Sequence, residues 1–307
     1  MTERLRIVVG PLGGSGIAEA LAAVPGVEAT IVQSPAEMPE AVVGAPVVVT
    51  FLWSDSWITD SLRWVQSVSA GTDQFPTERF HHSGVVLTSA RGVHEVQVAE
   101  HAIGLLLAMT RGIAAAVRDQ AEHRWDRSTV GELHGMTLGV LGLGTIGEGV
   151  ARRATAFGMR VIGTKRHPPG YAGVAVEVYP PERTLDVCAQ ADAVVITLPG
   201  GSDTVGVVGA AELEALRGGW LVNVGRGSVI DTAALISAMS SGVLAGAALD
   251  VFDEEPLPAA SPLWDLPGVI ISPHLAGLSP RYGERLAAIF EKNLAAYLGQ
   301  GAWVNRV

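Results

Sequence analysis

An arginine, a run of acids and a histidine each stand just beyond an apolar segment in the later part of the chain. Trp220–Asn223 is followed by Gly225-Arg226-Gly227 and Ala245–Leu249 by Asp250-Val251-Phe252-Asp253-Glu254-Glu255-Pro256. Val269–Ile271 leads into Ser272-Pro273-His274. A guanidinium holds a carboxylate, or polarises a carbonyl, through a planar fork of donors. A histidine delivers or removes a hydroxyl proton near neutral pH. A carboxylate beside it stabilises the imidazolium form, and Asp253, Glu254 and Glu255 all compete for that role. Together these groups suit the reduction of a 2-oxo acid. The hydride has to come from a nicotinamide, because no side chain supplies one.

A site for such a nicotinamide is written earlier, in Thr137–Gly147, TLGVLGLGTIG. An apolar run, Leu138–Leu141, enters Gly142-Leu143-Gly144-Thr145-Ile146-Gly147. A helix-like stretch, Glu148–Phe157, follows, and a second apolar run starts at Val161. Strand, glycine turn, helix and strand form the context in which G-x-G-x-x-G binds a dinucleotide. Gly142 permits the turn, Gly144 lets backbone approach a pyrophosphate, and Gly147 lets helix pack on strand. The pyrophosphate is then received by N–H groups at the helix start, including those of Thr145 and Ile146.

The elements that position these residues alternate along the chain. Arg6–Gly10, Val27–Gln33, Pro46–Leu52 and Val85–Thr88 read as strands, with a helix at Ile17–Ala23 after a glycine-rich turn. Leu62–Val68 leads into the loop Ser69-Ala70-Gly71-Thr72-Asp73. A long helical period begins near His94 through Val96, Ala99, Ile103, Leu106, Leu107 and Ile113. Further strands are expected at Leu138–Leu141, Arg160–Gly163, Ala193–Thr197, Trp220–Asn223, Ala245–Leu249 and Val269–Ile271. Helices lie between them, as at Ala210–Leu216 and Thr232–Ser240, and Arg281–Leu298 forms a last amphipathic helix. This pattern predicts α/β architecture with parallel sheets. The ligand edge is then the carboxyl ends of the strands.

Composition narrows the function classes. The chain has 307 residues, 48% of them hydrophobic, so it can bury large cores. Its formal charge of −10 disfavours nucleic acid or an anionic membrane as the main partner. Cys188 is the single cysteine, which excludes an intrachain disulfide and fits a reducing compartment. No uninterrupted run of 18 apolar residues exists, and the charged start MTERLR does not read as a signal peptide. A soluble, cytoplasmic protein is expected. His81, His82, His94, His101, His123, His134 and His167 read as surface or core fillers, and their spacing offers no metal cage, so no metal is expected.

The order and spacing of these motifs resemble the D-isomer-specific 2-hydroxyacid dehydrogenases over most of the chain. The likeness is carried by Glu132–Gly139 entering GLGTIG, by Asn223-Val224-Gly225-Arg226-Gly227, by Leu249–Pro256 and by Ser272-Pro273-His274. It implies two Rossmann-like doubly wound domains with the active-site cleft between them. Residues 1–92 with 280–307 would form the outer, flavodoxin-like substrate domain, and 93–279 the dinucleotide domain. It further implies that Arg226 binds and polarises the substrate, that His274 is the acid/base, and that Glu255 is the partner of His274. Asp250 would contact the nicotinamide carboxamide, and Pro199 would also line the cofactor. Backbone N–H groups of Ser69, Ala70 and Gly71 would receive the substrate carboxylate. A homodimer is implied, with the long helix and the arm around Trp125 as interface pieces.

One departure concerns the cofactor. An acid about 20 residues past the glycine turn ordinarily binds the adenosine ribose and selects NAD. Here the strand ends Gly163-Thr164-Lys165-Arg166-His167. Thr164, Lys165 and Arg166 offer a hydroxyl and two cations to a 2′-phosphate, which predicts NADP(H) over NAD(H). The related formate-type enzymes pair the histidine with glutamine, which Glu255 argues against. The phosphite type carries a lysine where Ala70 stands. A nucleotide-binding corepressor or scaffold retaining the same fold is the alternative from another class. Trp53, Arg91, His94 and Tyr282 fall where cleft-lining side chains would lie. Glyoxylate, hydroxypyruvate or a larger 2-oxo acid are the candidate substrates.

Overall fold

Strand ends decide where ligands gather, so the two sheets are the first question. The structure, a computed structural model, describes residues 4–11, 17–72 and 74–307. The glycine-rich turn expected before the first helix, and Asp73 of the loop after Leu62–Val68, lie outside the described residues. The chain divides into two compact units, Met1–His94 with Leu278–Val307, and Glu95–Gly277.

The first unit contains β1 (Leu5–Val9), α1 (Ile17–Ala22), β2 (Val27–Ile31), α2 (Met38–Ala41), β3 (Val47–Thr50), β4 (Trp64–Ser67), α3 (Thr77–Ser83) and β5 (Val86–Thr88). Its five strands lie parallel in the order β2-β1-β3-β4-β5, a flavodoxin-like winding. The run Val47-Val48-Val49 is buried throughout, the signature of a central parallel strand covered on both faces.

The second unit opens with α4 (Glu95–Thr110) and α5 (Ile113–Ala121), then β6 (Thr137–Leu141), α6 (Thr145–Ala156), β7 (Arg160–Thr164) and β8 (Glu177–Tyr179). It continues through α7 (Thr184–Gln190), β9 (Ala193–Ile196), α8 (Ala210–Ala215), β10 (Trp220–Asn223), α9 (Thr232–Ser240), β11 (Gly246–Leu249) and β12 (Val269–Ile271). Its sheet has the order β12-β11-β10-β9-β6-β7-β8. The direction of winding reverses between β6 and β9, and in such sheets a crevice opens there at the carboxyl ends.

The last helix, α10 (Tyr282–Tyr297), returns to the first unit. Phe290 is fully buried and stacks on Trp64 at 4.8 Å, a contact worth about 0.5–1.5 kcal/mol beyond its burial. Beside it Asn293 donates to Gln66 Oε1 at 3.0 Å, and the Thr88 hydroxyl donates to the same oxygen at 2.8 Å. A buried polar set of this kind fixes the helix in register, since each unmade bond would cost its desolvation.

The single long helix expected from His94 is two. Gly112 takes φ 66, and the helices on either side are bent by 65°. Ile113, counted in the buried period, is 51% exposed after the bend. No single helix among the described residues is long and apolar enough to cross a membrane; α4 and α5 reach such a threshold only as that bent pair.

Candidate active site

The glycine turn is shaped by contacts that exclude side chains at some positions and leave others open. Gly142 has φ 100, a region that favours glycine. A Cβ on Gly147 would stand 2.3 Å from the Gly142 carbonyl oxygen, so α6 can lie close to β6 only through glycine. At Gly144 a Cβ would meet nothing within 4 Å. That position is spared a side chain where the turn opens outward, at the start of α6. The first N–H groups of the helix, on Thr145 and Ile146, have no intrahelical acceptor. An open concavity, free donors and a helix N-terminus fit the pyrophosphate of a dinucleotide. Pro199 lies exposed just past β9, its carbonyl accepting from Thr204 Oγ1 at 2.7 Å.

At the end of β7 the three expected phosphate ligands part company. Lys165 leans back on the turn, its ammonium donating to the Leu143 carbonyl at 2.5 Å. Arg166 is exposed, with Asp203 3.7 Å away. Thr164 is only 2% exposed, and its hydroxyl accepts the Gly142 N–H at 3.1 Å. This bond ties the end of β7 to the glycine turn.

Arg226 sits between two glycines for steric reasons. A Cβ on Gly225 would be 2.5 Å from the Leu198 carbonyl oxygen, and one on Gly227 only 1.9 Å from the Phe252 carbonyl carbon. Asn223 closes the loop, its side-chain oxygen accepting from Gly225 N at 3.0 Å and its amide donating to the Arg226 carbonyl at 2.9 Å. The exposed guanidinium donates to the Gly225 carbonyl at 2.7 Å.

Of the three competing acids, Glu255 meets the histidine. Its Oε2 lies 2.6 Å from His274 Nδ1, and its Oε1 accepts the Phe252 N–H at 2.9 Å. Asp253 instead accepts from the Thr232 hydroxyl. With Nδ1 held by the carboxylate, Nε2 is the nitrogen left to exchange a proton with a ligand. Beside the pair opens a cavity of about 420 Å³, walled by Phe252, Pro256, Leu257, Trp264, Ile271 and Pro273 with Glu255 and His274 at its polar end.

Asp250 stands just past β11. It is 1% exposed, and both of its carboxylate oxygens accept hydrogen bonds. Oδ1 accepts from the Ser272 hydroxyl at 2.6 Å and Leu275 N at 2.9 Å, and Oδ2 from Ala276 N at 3.1 Å. Burial alone would raise its pKa, but bonds from His101, Ser272, Ala276 and Leu275 outweigh that and hold it below the usual carboxylate value. His101, expected to be filler, is thereby a member of the site's support. A signal for it lies in Gln97 and His101, two polar residues one turn apart in a mostly apolar helix.

Ser69, Ala70 and Gly71 belong to the first unit, at the carboxyl end of β4. Ala90 N donates to the Ser69 carbonyl at 2.9 Å, and the Ser69 hydroxyl donates to the Gly71 carbonyl at 2.6 Å; Ala70 and Gly71 are exposed. Tyr282 anchors the loop's start by donating to the Val68 carbonyl and packs on His94 at 5.1 Å. Trp53 meets Phe80 edge-on at 4.7 Å, and the exposed Arg91 lends its carbonyl to Asn305 at 2.8 Å. Among the described residues no group of three His, Cys, Asp or Glu is arranged to hold a metal ion.

Known proteins resemble this chain in sequence and in fold. Residues 103–276 match the family description "D-isomer specific 2-hydroxyacid dehydrogenase, NAD binding domain". A glyoxylate reductase of Korarchaeum cryptofilum is 34% identical over 245 residues, 77% of this chain and 73% of the relative. A 2-hydroxyacid dehydrogenase from Ketogulonicigenium vulgare superposes with TM-score 0.81 at 28% identity, covering 100% of this chain and 99% of that one. An NADPH-dependent glyoxylate/hydroxypyruvate reductase of Sinorhizobium meliloti, solved with NADP and malonate, gives TM-score 0.75 at 30% identity, covering 99% and 97%.

Proposed function

The chain belongs to the D-isomer-specific 2-hydroxyacid dehydrogenase family, and on that footing we propose that it reduces a small 2-oxo acid to the D-2-hydroxy acid, with Arg226, Glu255 and His274 as its working residues. The observation that carries the reading is the Glu255–His274 pair at 2.6 Å, which leaves Nε2 as the proton donor. The nicotinamide cofactor supplies the hydride when bound. His274 Nε2 protonates the developing alkoxide, and Glu255 balances the imidazolium and holds the ring's orientation. Arg226 polarises the carbonyl and pairs with the carboxylate. On this proposal Ser69, Ala70 and Gly71 of the outer domain, 1–92 with 280–307, receive the carboxylate through their N–H groups, and 93–279 is the dinucleotide domain. Gly142, Gly144, Thr145, Ile146, Gly147 and Pro199 hold the dinucleotide.

NADPH is the preferred cofactor on this proposal. Its support is Lys165 and Arg166 at the end of β7 where an acid would repel a 2′-phosphate, and the NADP bound by the Sinorhizobium reductase. The family likeness also supports a homodimer in the cytoplasm, without nucleic-acid or membrane partners. Ile113, Val117 and Trp125, all exposed, are offered as interface residues.

The test is cofactor oxidation at the nicotinamide absorbance band with NADPH and NADH, over glyoxylate, hydroxypyruvate and 2-oxo acids with hydrocarbon side chains suited to the apolar cavity. Turnover with NADPH, lost by about 100-fold or more in His274→Ala, is the expected result. Tight cofactor binding with no turnover on any acid would replace the reductase by a sensor or scaffold.

A further inference from the structure

One face of α4 grips the turn that carries His274 near both of its ends. Gln97 Nε2 donates to the Gly277 carbonyl at 3.2 Å. One helical turn along, His101 Nε2 lies 2.9 Å from Ser272 Oγ and 3.2 Å from Asp250 Oδ1. Between these anchors the chain winds around Asp250. His274 N–H donates to the Asp250 carbonyl at 2.9 Å, while Leu275 and Ala276 N–H donate to its carboxylate at 2.9 and 3.1 Å.

The winding is not relaxed. His274 has φ 54, in the left-handed region that disfavours any residue with a Cβ. It stays there because three successive N–H groups end on one residue, so the orientation of the Asp250 side chain sets the aim of the imidazole. That orientation is fixed from behind. The Ser272 hydroxyl is spent as a donor to Asp250 at 2.6 Å, so its oxygen accepts from His101, whose Nε2 carries a proton. At 1% exposure, Asp250 cannot replace a lost donor with water.

We infer that His101 is a positioning residue for the reaction: by holding Asp250 and Ser272 it locks the left-handed turn that keeps His274 on Glu255. This rests on the reading of His274 as acid/base. It assigns His101 no contact with substrate or cofactor. A displaced imidazole slows the chemical step far more than it weakens binding, since misplacement by about 1 Å costs on the order of 100-fold in rate.

The experiment compares His101→Leu, His101→Gln, Ser272→Ala and His274→Ala with the parent in NADPH-dependent reduction of the best 2-oxo acid. Cofactor dissociation constants and melting temperatures are measured alongside. His101→Leu is expected to lower kcat by about 10- to 100-fold, with KM and the cofactor constant within about threefold of the parent. His101→Gln, which returns an N–H donor close to the place of Nε2, recovers most of that loss, and Ser272→Ala lowers kcat in the same selective way. Should His101→Leu not fold, the Gln and Ala variants decide the matter by the same split between kcat and KM. Near-parental kcat in His101→Leu or Ser272→Ala, with His274→Ala inactive, overturns the inference and spares the acid/base reading. A loss shared by kcat and cofactor binding and not recovered by glutamine makes His101 a packing residue and also overturns it. An active His274→Ala overturns the acid/base reading itself.

Discussion

Gly144 and Gly147 occupy the same turn, and a single methyl group should affect them in opposite ways. Gly144 has φ −91 and ψ −163, extended backbone open to any residue, and nothing lies within 4 Å of its would-be Cβ. Gly144→Ala should therefore change stability by less than about 1 kcal/mol, since it adds no clash and alters only a helix cap. The methyl group would, however, fill the space where a pyrophosphate approaches the N–H groups of α6. Losing one or two charge-assisted hydrogen bonds, at about 1.5–3 kcal/mol each, should raise the dissociation constant by ten- to a hundredfold or more. At Gly147 the Cβ would lie 2.3 Å from the Gly142 oxygen. That oxygen cannot yield, because it already accepts from Gly144 N and Thr197 Oγ1, both at 2.7 Å. Helix α6 has to lift from the sheet instead, at a cost of about 1–3 kcal/mol or more for overpacking. Differential scanning fluorimetry with a fluorescence titration of NADPH separates the two cases. An unchanged dissociation constant in Gly144→Ala would remove the pyrophosphate from this turn, and equal destabilisation by both variants would refute the steric argument.

Further predictions concern the site's frame and the buried groups. Gly227→Ala should abolish activity and lower the melting temperature, because its Cβ would collide with Phe252 and Asp253 backbone at 1.9–2.3 Å; wild-type kcat in that variant would contradict the packing described. Cys188 is buried, and desolvation pushes its thiol up to about 12, so Ellman's reagent at mild alkaline pH should modify it only after denaturation; rapid labelling of the native protein would refute this. Asp250 has its pKa lowered from 3.8, so its stabilisation is present above that value and is lost as pH falls through the lower folded value. Asp250→Asn should accordingly be less stable than the parent near neutral pH, with the gap narrowing under acid. A gap that stays constant through acid denaturation would show that the charge is not what stabilises the turn.

How much of this the sequence discloses depends on the kind of constraint. Glycines fixed by collision with backbone are legible: Gly147 and Gly227 stand in the motifs because a Cβ there would strike the Gly142 carbonyl or the Phe252 backbone. Central strands are legible too, since a parallel strand buried on both faces has to be a continuous apolar run, as in Ala193–Ile196. The three-residue edge strand Glu177–Tyr179 is not, being half-exposed and without such a run. Nor is the direction of a polar side chain at a strand end. Thr164 and Asp250 stand where ligand contacts were expected, yet both turn inward, Thr164 to the Gly142 N–H and Asp250 to the His274 turn. Position along the chain identifies the end of a strand but not the face a last residue takes once the following loop offers hydrogen bonds.

His101 marks the deeper limit. Its partner Ser272 is 171 residues away, and the helix that carries His101 is buried through Val98, Ala99, Ala102, Ile103, Leu105 and Leu106. With so broad an apolar surface the helical period no longer singles out one face, and a histidine within it reads as filler. Only the fold reveals that this helix packs on β10 and β11 and reaches Asp250 and Ser272, just past the ends of β11 and β12. The Glu255–His274 pair proposed as the acid/base is written in adjacent motifs, which the fold brings together at one sheet edge. What keeps His274 in its left-handed turn is contributed by a helix of the same unit, far earlier in sequence. Variants confined to the motifs therefore test the chemistry, and the aim of the imidazole has to be tested from α4.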